Sequence, residues 1–190
     1  MKKIMLSVVM LASVALFSFA PKTTKLEGTT FTVDAAKSKV EFTGSKTSDF
    51  HTGYFPVKAG SVKVDDGKLV GGSFIVNVAG LKVTDAAGEK LQGHLSSADF
   101  LDVAKFGEAT FTITNVTYTK GDRATVTGDL SLHGVKAPIT FTAYIRSTDA
   151  AKGFFAEAFF PLDRTVFGVS YGVGMVDTDV QLAIHLYGNK

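Results

Sequence analysis

The sequence predicts an all-β fold, an antiparallel barrel of about eight strands with a short helical segment between strands. Apolar and polar residues alternate along most of the chain, which is typical of strands with one buried face. Short glycine-containing turns separate these stretches, so successive strands are expected to be antiparallel neighbours. Threonine-rich faces indicate contact with water on one side, and closure into a barrel would remove exposed strand edges.

The alternation predicts each strand in turn. Before the helical segment, the strands cover residues 30–34, 38–44, 54–64 and a stretch that begins at Leu69, with a polar loop over residues 45–52. After it they cover residues 110–118, 124–132, 139–146, 154–160 and 180–186. Hairpin turns are predicted at Asp65-Asp66-Gly67, Lys120-Gly121-Asp122 and His133-Gly134. Gly71-Gly72 and a slip in the apolar phase near Asn115 predict β-bulges.

Residues 90–111 depart from this alternation and approach a helical period. Ser96-Ser97-Ala98-Asp99 has the form of a capping box, and Leu95 and Phe100 fall at the positions of a hydrophobic staple. The sequence therefore predicts a short helix that starts at Ser96. Its apolar side chains would cover one end of the β core, either as a plug over a solid interior or as a lid over a cavity.

The composition limits the chemistry that the chain can perform. A length of 190 residues allows one domain with a sizeable core. The chain contains no cysteine, which excludes disulfides and cysteine-ligated zinc. Apart from Lys2 and Lys3, the 18 remaining basic side chains match 18 acidic ones. No basic tract remains that could neutralise a row of phosphates, so nucleic acid is not an expected partner.

Residues 1–20 are predicted to be a signal peptide, followed by a single domain over residues 21–190. Lys2-Lys3 forms a positive start, residues 4–19 are largely apolar, and Ser18-Phe19-Ala20 approximates a cleavage site. Pro21 leaves the exact cleavage point open, and an uncleaved membrane anchor is the alternative. We expect a periplasmic or secreted bacterial protein, and N-terminal sequencing of the mature chain would test this.

No catalytic motif emerges from the chemistry-bearing residues. The histidines do not fall at metal-ligand spacings; they are His51, His94, His133 and His185. Residues 168–172 lack the spacing of a nucleophile elbow. Asp99 and Asp102 are better explained by helix capping and solvation than by acid–base chemistry. The sequence therefore predicts no catalytic residue, no metal site and no cofactor.

Four stretches carry a family resemblance. The most specific is Gly-His-Leu-Ser-Ser-Ala-Asp-Phe-Leu-Asp-Val-Ala-Lys-Phe at residues 93–106, and the others are residues 126–135, residues 163–168 and the opening at 33–40. In this order they resemble the YceI-like family of exported polyisoprenoid-binding proteins, over residues 31–186. The chain departs from the family pattern at Phe31, Asn77, Leu101 and Phe106-Gly107, where Trp, Asp, Phe and Tyr-Pro are usual.

The resemblance implies an extended, lipocalin-like barrel around a tunnel for a long apolar chain, with no established enzymatic activity. A polyisoprenoid, an isoprenoid quinone or a fatty amide would be held there for carriage or storage, with a membrane as donor or acceptor of the lipid. A homodimer is left open. The alternatives are a quinone-linked redox partner or lipid-processing enzyme, and a ligand-free structural barrel with a solid core.

The inward strand faces supply the candidate ligand-binding residues. They are Phe42, Phe74, Val76, Phe111, Ile113, Leu130, Leu132, Phe141, Phe160, Leu182 and Ile184. Phe100, Phe106, Phe167 and Tyr171 are predicted to close the ends of the tunnel. Arg164 is the candidate for a phosphate or carboxylate head group. Equally, it could pair with Asp163, Asp177 or Asp179 and brace its loop.

Overall fold

The computed structural model describes residues 28–190, so the predicted signal peptide lies outside the described residues. The strands are β1 (Thr29–Val33), β2 (Lys39–Lys46), β3 (Asp49–Asp65), β4 (Lys68–Asn77), β5 (Lys82–Val83), β6 (Glu108–Lys120), β7 (Arg123–Leu132), β8 (Val135–Asp149), β9 (Gly153–Asp163) and β10 (Asp179–Asn189). The helical elements are α1 (Gly88–Ser96) and the 3₁₀ turn η1 (Arg164–Phe167).

Eight antiparallel strands close the barrel, which confirms the predicted fold class. Strands β2, β3, β4, β6, β7, β8, β9 and β10 pair in that order, and β10 pairs back with β2. The short β5 adds to β3, and β1 pairs with both β3 and β10. Because the sheet closes on itself, these eight strands leave no long unpaired edge.

The two ends of the barrel differ. At one end, which we call the packed end, β1 crosses the opening and places Phe31 opposite Val62. Phe31 and Phe154 are buried there, with ring centroids 6.0 Å apart. The other end, which we call the mouth, is formed by the β2–β3 turn, the β4–β6 connection that carries α1, and the β9–β10 connection that carries η1.

The predicted helix start was wrong, because α1 ends at Ser96 instead of beginning there. The Ser97 hydroxyl donates a hydrogen bond to the His94 carbonyl at 2.8 Å, so it satisfies the C-terminal end of the helix. The Asp99 N–H then donates to the Ser97 hydroxyl oxygen. The serine and aspartate pattern thus forms the turn after the helix. No residue of α1 is buried, and its apolar stripe toward the barrel is narrow, formed by Leu91 and Leu95.

The predicted polar loop over residues 45–52 was also wrong. These residues form a tight hairpin in which Gly44 lies opposite His51 and Ser45 opposite Phe50. The hairpin belongs to the mouth, where its side chains are largely exposed to solvent. The segment is polar because its side chains are exposed at the mouth. Polar composition therefore did not distinguish a paired hairpin from a loop.

The predicted turns and bulges were confirmed. Asp66-Gly67 and His133-Gly134 both combine two positive φ angles, 46° with 70° and 52° with 78°, as type I′ hairpin turns require. Register shifts occur between Ile113 and Asn115 on β6 and opposite Gly71 on β4. These bulges allow the long strands to bend around the barrel.

Gly128→Ala is expected to lower the free energy of unfolding by about 1–3 kcal/mol. Gly128 lies on β7 beneath the Phe111 ring, so an added Cβ would overlap that ring and lie 2.5 Å from the Thr112 carbonyl oxygen. Gly44→Ala is the matched control, because no atom lies within 4 Å of its Cβ position. Urea unfolding of both variants measures the difference, and equal midpoints would contradict the close packing of Phe111 on Gly128.

Candidate ligand-binding cavity

A cavity of about 310 Å³ runs through the interior of the barrel. This volume is at the lower end of the range of small-molecule pockets. Side chains alternate across each strand, so the inward positions of the barrel strands form its wall. The wall includes every strand residue predicted to line it: Phe42, Phe74, Val76, Phe111, Ile113, Leu130, Leu132, Phe141, Phe160, Leu182 and Ile184. Whether these residues contact a ligand stays a prediction.

A row of phenylalanine rings dominates one side of the wall. The Phe141 and Phe160 rings stack with centroids 4.5 Å apart, and Phe111 lies 5.6 Å from Phe141. Phe74 continues the row, stacked on Phe111 at 6.3 Å. These contacts hold the rings in place while one side of each faces the cavity. The result is a wide and chemically uniform apolar surface.

Apolar side chains close the cavity at the packed end. Those that form its floor are Val62, Leu69, Val126, Phe154 and Leu186, and each is buried. Phe31 lies beyond this floor and is fully buried against Phe154. Access from solvent is therefore through the mouth.

The segment around α1 covers the cavity from one side of the mouth. Leu91 and Leu95 of α1, with Phe100 and Leu101 of the following turns, contribute to the wall. Phe100 is buried and its ring lies 5.0 Å from His94 and 4.8 Å from Tyr171. The segment is therefore better described as a lid over a cavity than as a plug on a solid core.

Except for Glu157 of β9, the charged and hydrogen-bonding residues that line the cavity lie at the mouth. Ser45, Lys46 and His51 come from the β2–β3 hairpin, and Arg164 and Asp177 from the β9–β10 connection. The two elements are joined, because the Asp177 N–H donates to the Ser45 carbonyl at 2.9 Å. An amphiphile with its chain in the cavity would therefore place its head group among these residues.

Arg164 braces the β9–β10 connection. Its side chain is 6% exposed and donates to three backbone carbonyls: Nη1 to Val169 at 2.6 Å, Nε to Asp177 at 3.0 Å and Nη2 to Val176 at 3.2 Å. Burial lowers the pKa of the guanidinium. These contacts agree with the bracing interpretation, but Arg164 bonds to backbone carbonyls, including that of Asp177, and to none of the three carboxylates. Contact between Arg164 and a head group stays a prediction.

Asp163 has a separate role at the start of η1. Its carboxylate accepts hydrogen bonds from the Thr165 N–H at 2.8 Å and the Thr165 hydroxyl at 2.6 Å. These bonds lower the pKa of Asp163 and cap the first turn of η1. Its carboxylate therefore serves the backbone of the turn.

Three residues predicted to close the tunnel do not reach its wall. Phe167 is fully buried within η1, where Gly168 ends the turn. Phe106 packs on the His133 ring at 4.7 Å, outside the barrel interior, because the turns after α1 carry it past the mouth. Tyr171 is 43% exposed and covers Phe100 from outside. Only Phe100 of the four faces the cavity.

His51 is a wall residue that the sequence interpretation missed, because it was assigned to the polar loop. Its Nδ1 lies 3.3 Å from Asp85 Oδ2. The same Asp85 carboxylate accepts from the backbone N–H groups of Thr52 at 2.7 Å and Ala87 at 2.8 Å. These two bonds, followed by the His51 contact, lower the pKa of Asp85 and keep it ionised. The sequence does contain a signal for His51. This histidine is separated from Phe55 and Val57 by even numbers of positions, so all three face the same side of a strand.

The described residues hold no group of three or more His, Asp or Glu side chains that could bind a metal ion. No helix within residues 28–190 is long and apolar enough to cross a membrane. Fold and site together define a closed antiparallel β-barrel with an apolar internal cavity and a polar mouth.

Comparison with known proteins agrees with this class. Residues 31–187 match the family model described as YceI-like domain, and the chain belongs to that family. A UPF0312 protein of Pseudomonas fluorescens (strain SBW25) is 42% identical over 101 residues. That match spans 51% of this chain and 52% of the relative, about half the length of each.

Two solved structures share the barrel. BcnA of Burkholderia cenocepacia superposes with a TM-score of 0.69 at 24% identity, over 82% of this chain and 98% of its own. A polyisoprenoid binding domain from Saccharophagus degradans superposes with a TM-score of 0.64 at 14% identity, over 84% and 97%. At these identities the two structures confirm the fold alone.

Proposed function

We propose that this protein binds a chain lipid in its cavity, for carriage or storage. The observation that carries the proposal is the continuous apolar wall, which extends from the floor at Phe154 to the mouth at His51. Membership of the YceI-like family and the likeness to a polyisoprenoid binding domain support it. The candidate ligands are a polyisoprenoid, an isoprenoid quinone and a fatty amide.

The energetics favour a long apolar chain as the ligand. Each methylene that moves from water into the cavity contributes about 0.8 kcal/mol, from which the cost of ordering the chain is subtracted. The wall is apolar over most of its length, so affinity comes from the chain and orientation from the polar mouth. A binding protein of this kind needs no catalytic group.

The mouth offers a route for lipid transfer. Large apolar side chains are exposed there; they are Phe50, Val166, Tyr171, Val173 and Met175. Such side chains would lower the cost of moving a lipid tail between a membrane and the cavity. We propose that the mature protein acts in the periplasm or outside the cell, after removal of residues 1–20, with a membrane as lipid donor or acceptor.

The first test is native mass spectrometry of the mature protein, followed by solvent extraction. We expect an additional mass that solvent releases as a chain lipid. Protein stripped of lipid should then be titrated with geranylgeraniol, a C20 isoprenoid alcohol. At 100 times Kd, the stabilisation should be about 2.7 kcal/mol, or an increase in Tm of about 5–11 °C.

The opposite result separates this proposal from the ligand-free alternative. If the purified protein carries no lipid, and neither isoprenoid nor fatty lipids bind or raise Tm, the carrier function is wrong. The structural barrel would then be the better interpretation. A visible absorption band of the purified protein would instead favour the redox alternative.

A further inference from the structure

We propose that His51 is the head-group contact of the cavity and that it selects chain lipids whose head group carries a hydroxyl. This inference rests on the proposed lipid-binding function and goes further, because it names the class of head group. It is carried by the position of His51 on the wall, by the Asp85 carboxylate that holds its ring, and by the acceptors that already engage Arg164 and Lys46.

His51 faces into the barrel at the mouth, where the cavity meets solvent. It lies on β3 in phase with Phe55 and Val57, which line the cavity with it. Across the ladder its partner is Gly44, and no atom lies within 4 Å of the Cβ position of that glycine. The absence of a side chain at Gly44 leaves space beside the imidazole for a ligand atom.

Asp85 fixes which ring nitrogen of His51 is available. The Asp85 carboxylate is itself held by the backbone N–H groups of Thr52 and Ala87, and it lies 3.3 Å from His51 Nδ1. A carboxylate accepts hydrogen bonds, so this contact assigns the proton of the neutral ring to Nδ1. The other nitrogen, Nε2, then carries a lone pair and is left to accept a hydrogen bond from a ligand.

Both cations of the wall, Arg164 and Lys46, already have acceptors. The Arg164 nitrogens donate to three backbone carbonyls, and Lys46 Nζ lies 3.9 Å from an Asp49 carboxylate oxygen. Of the other polar wall residues at the mouth, Ser45, His51 and Asp177, His51 is the one whose ring a carboxylate holds in place, so we assign the head-group contact to its Nε2. A hydroxyl satisfies its Nε2, whereas an ether or a quinone carbonyl, which only accepts hydrogen bonds, leaves it unpaired.

The test compares two ligands that differ only in the O–H group, geranylgeraniol and its methyl ether. The unmodified protein should bind the alcohol about five- to tenfold more tightly, the effect of one neutral hydrogen bond. In His51→Phe, the affinities of alcohol and ether should become equal through loss of alcohol affinity. Asp85→Ala, which removes the acceptor that holds the ring, should reduce the preference for the alcohol.

His94→Phe is the matched control. His94 also has an acidic neighbour, with Nε2 3.5 Å from Asp99 Oδ2, but it does not line the cavity. This variant should keep the preference of the unmodified protein for the alcohol.

The outcomes distinguish this inference from the proposed function. If the unmodified protein binds alcohol and ether equally, the role of His51 is wrong and lipid binding stands. If neither ligand binds, the lipid-binding function itself is wrong. If His51→Phe does not fold, the comparison in the unmodified protein and the Asp85→Ala variant still decide the point.

Discussion

Phe141→Asp should reduce the affinity for geranylgeraniol at least a hundredfold, which corresponds to about 2.7 kcal/mol. The Phe141 ring is stacked on Phe160 at 4.5 Å and lies 5.6 Å from Phe111, in the middle of the aromatic wall. A carboxyl group there would have to lose its hydration when a lipid tail fills the cavity, at a cost of several kcal/mol without a compensating partner. Native mass spectrometry of protein–lipid mixtures measures the loss.

Thr142→Asp is the control for this prediction. Thr142 is the next residue along β8 and is exposed on the outer face of the barrel, so the same charge should leave lipid binding unchanged. Far-UV circular dichroism establishes that both variants are folded. Full lipid uptake by a folded Phe141→Asp variant would mean that the ligand does not occupy the cavity.

Arg164→Met should lower the free energy of unfolding by about 3 kcal/mol, seen as a decrease in Tm of about 6–12 °C. The substitution keeps much of the apolar stem but leaves the carbonyls of Val169, Val176 and Asp177 without their donor. These carbonyls hold the β9–β10 connection against the mouth. Thermal unfolding followed by circular dichroism is the measurement.

Arg146→Met provides the comparison for Arg164. Arg146 is 42% exposed and pairs with Asp122 at 2.8 Å and Glu157 at 3.0 Å on the outside of the barrel, so its loss should lower Tm far less than the loss of Arg164. Lipid binding by Arg164→Met is the second measurement, and it tests the head-group role. If Arg164→Met weakens only lipids with an anionic head group and leaves Tm unchanged, Arg164 binds the head group and does not brace the loop.

The alternation of apolar and polar residues along the strands made the barrel and most of its wall predictable from the sequence. Val180, Leu182, Ile184 and Leu186 alternate on β10 with Gln181, Ala183 and His185, and all four face the cavity. Once a strand is recognised, each side chain has only two possible directions, so the face that will be buried follows from the pattern.

The mouth was less predictable because its residues follow no period. The partners of Arg164 are backbone carbonyls, which every residue carries, so no side chain in the sequence marks them. His51 and Asp85 are 34 residues apart and meet only because β5 adds to β3. The serine and aspartate pattern at residues 96–99 fits either end of a helix, and only the packed chain decides between them.

The packed end at Phe31 has a kinetic consequence for any ligand of the proposed kind. With one opening in the part of the barrel that residues 28–190 describe, the tail must enter first and the head group must leave first. The whole chain is then withdrawn along the path by which it entered. Each additional buried carbon then lengthens the residence time, while the association rate depends mainly on the mouth. A receiving membrane or protein would meet the head group before it could reach the chain.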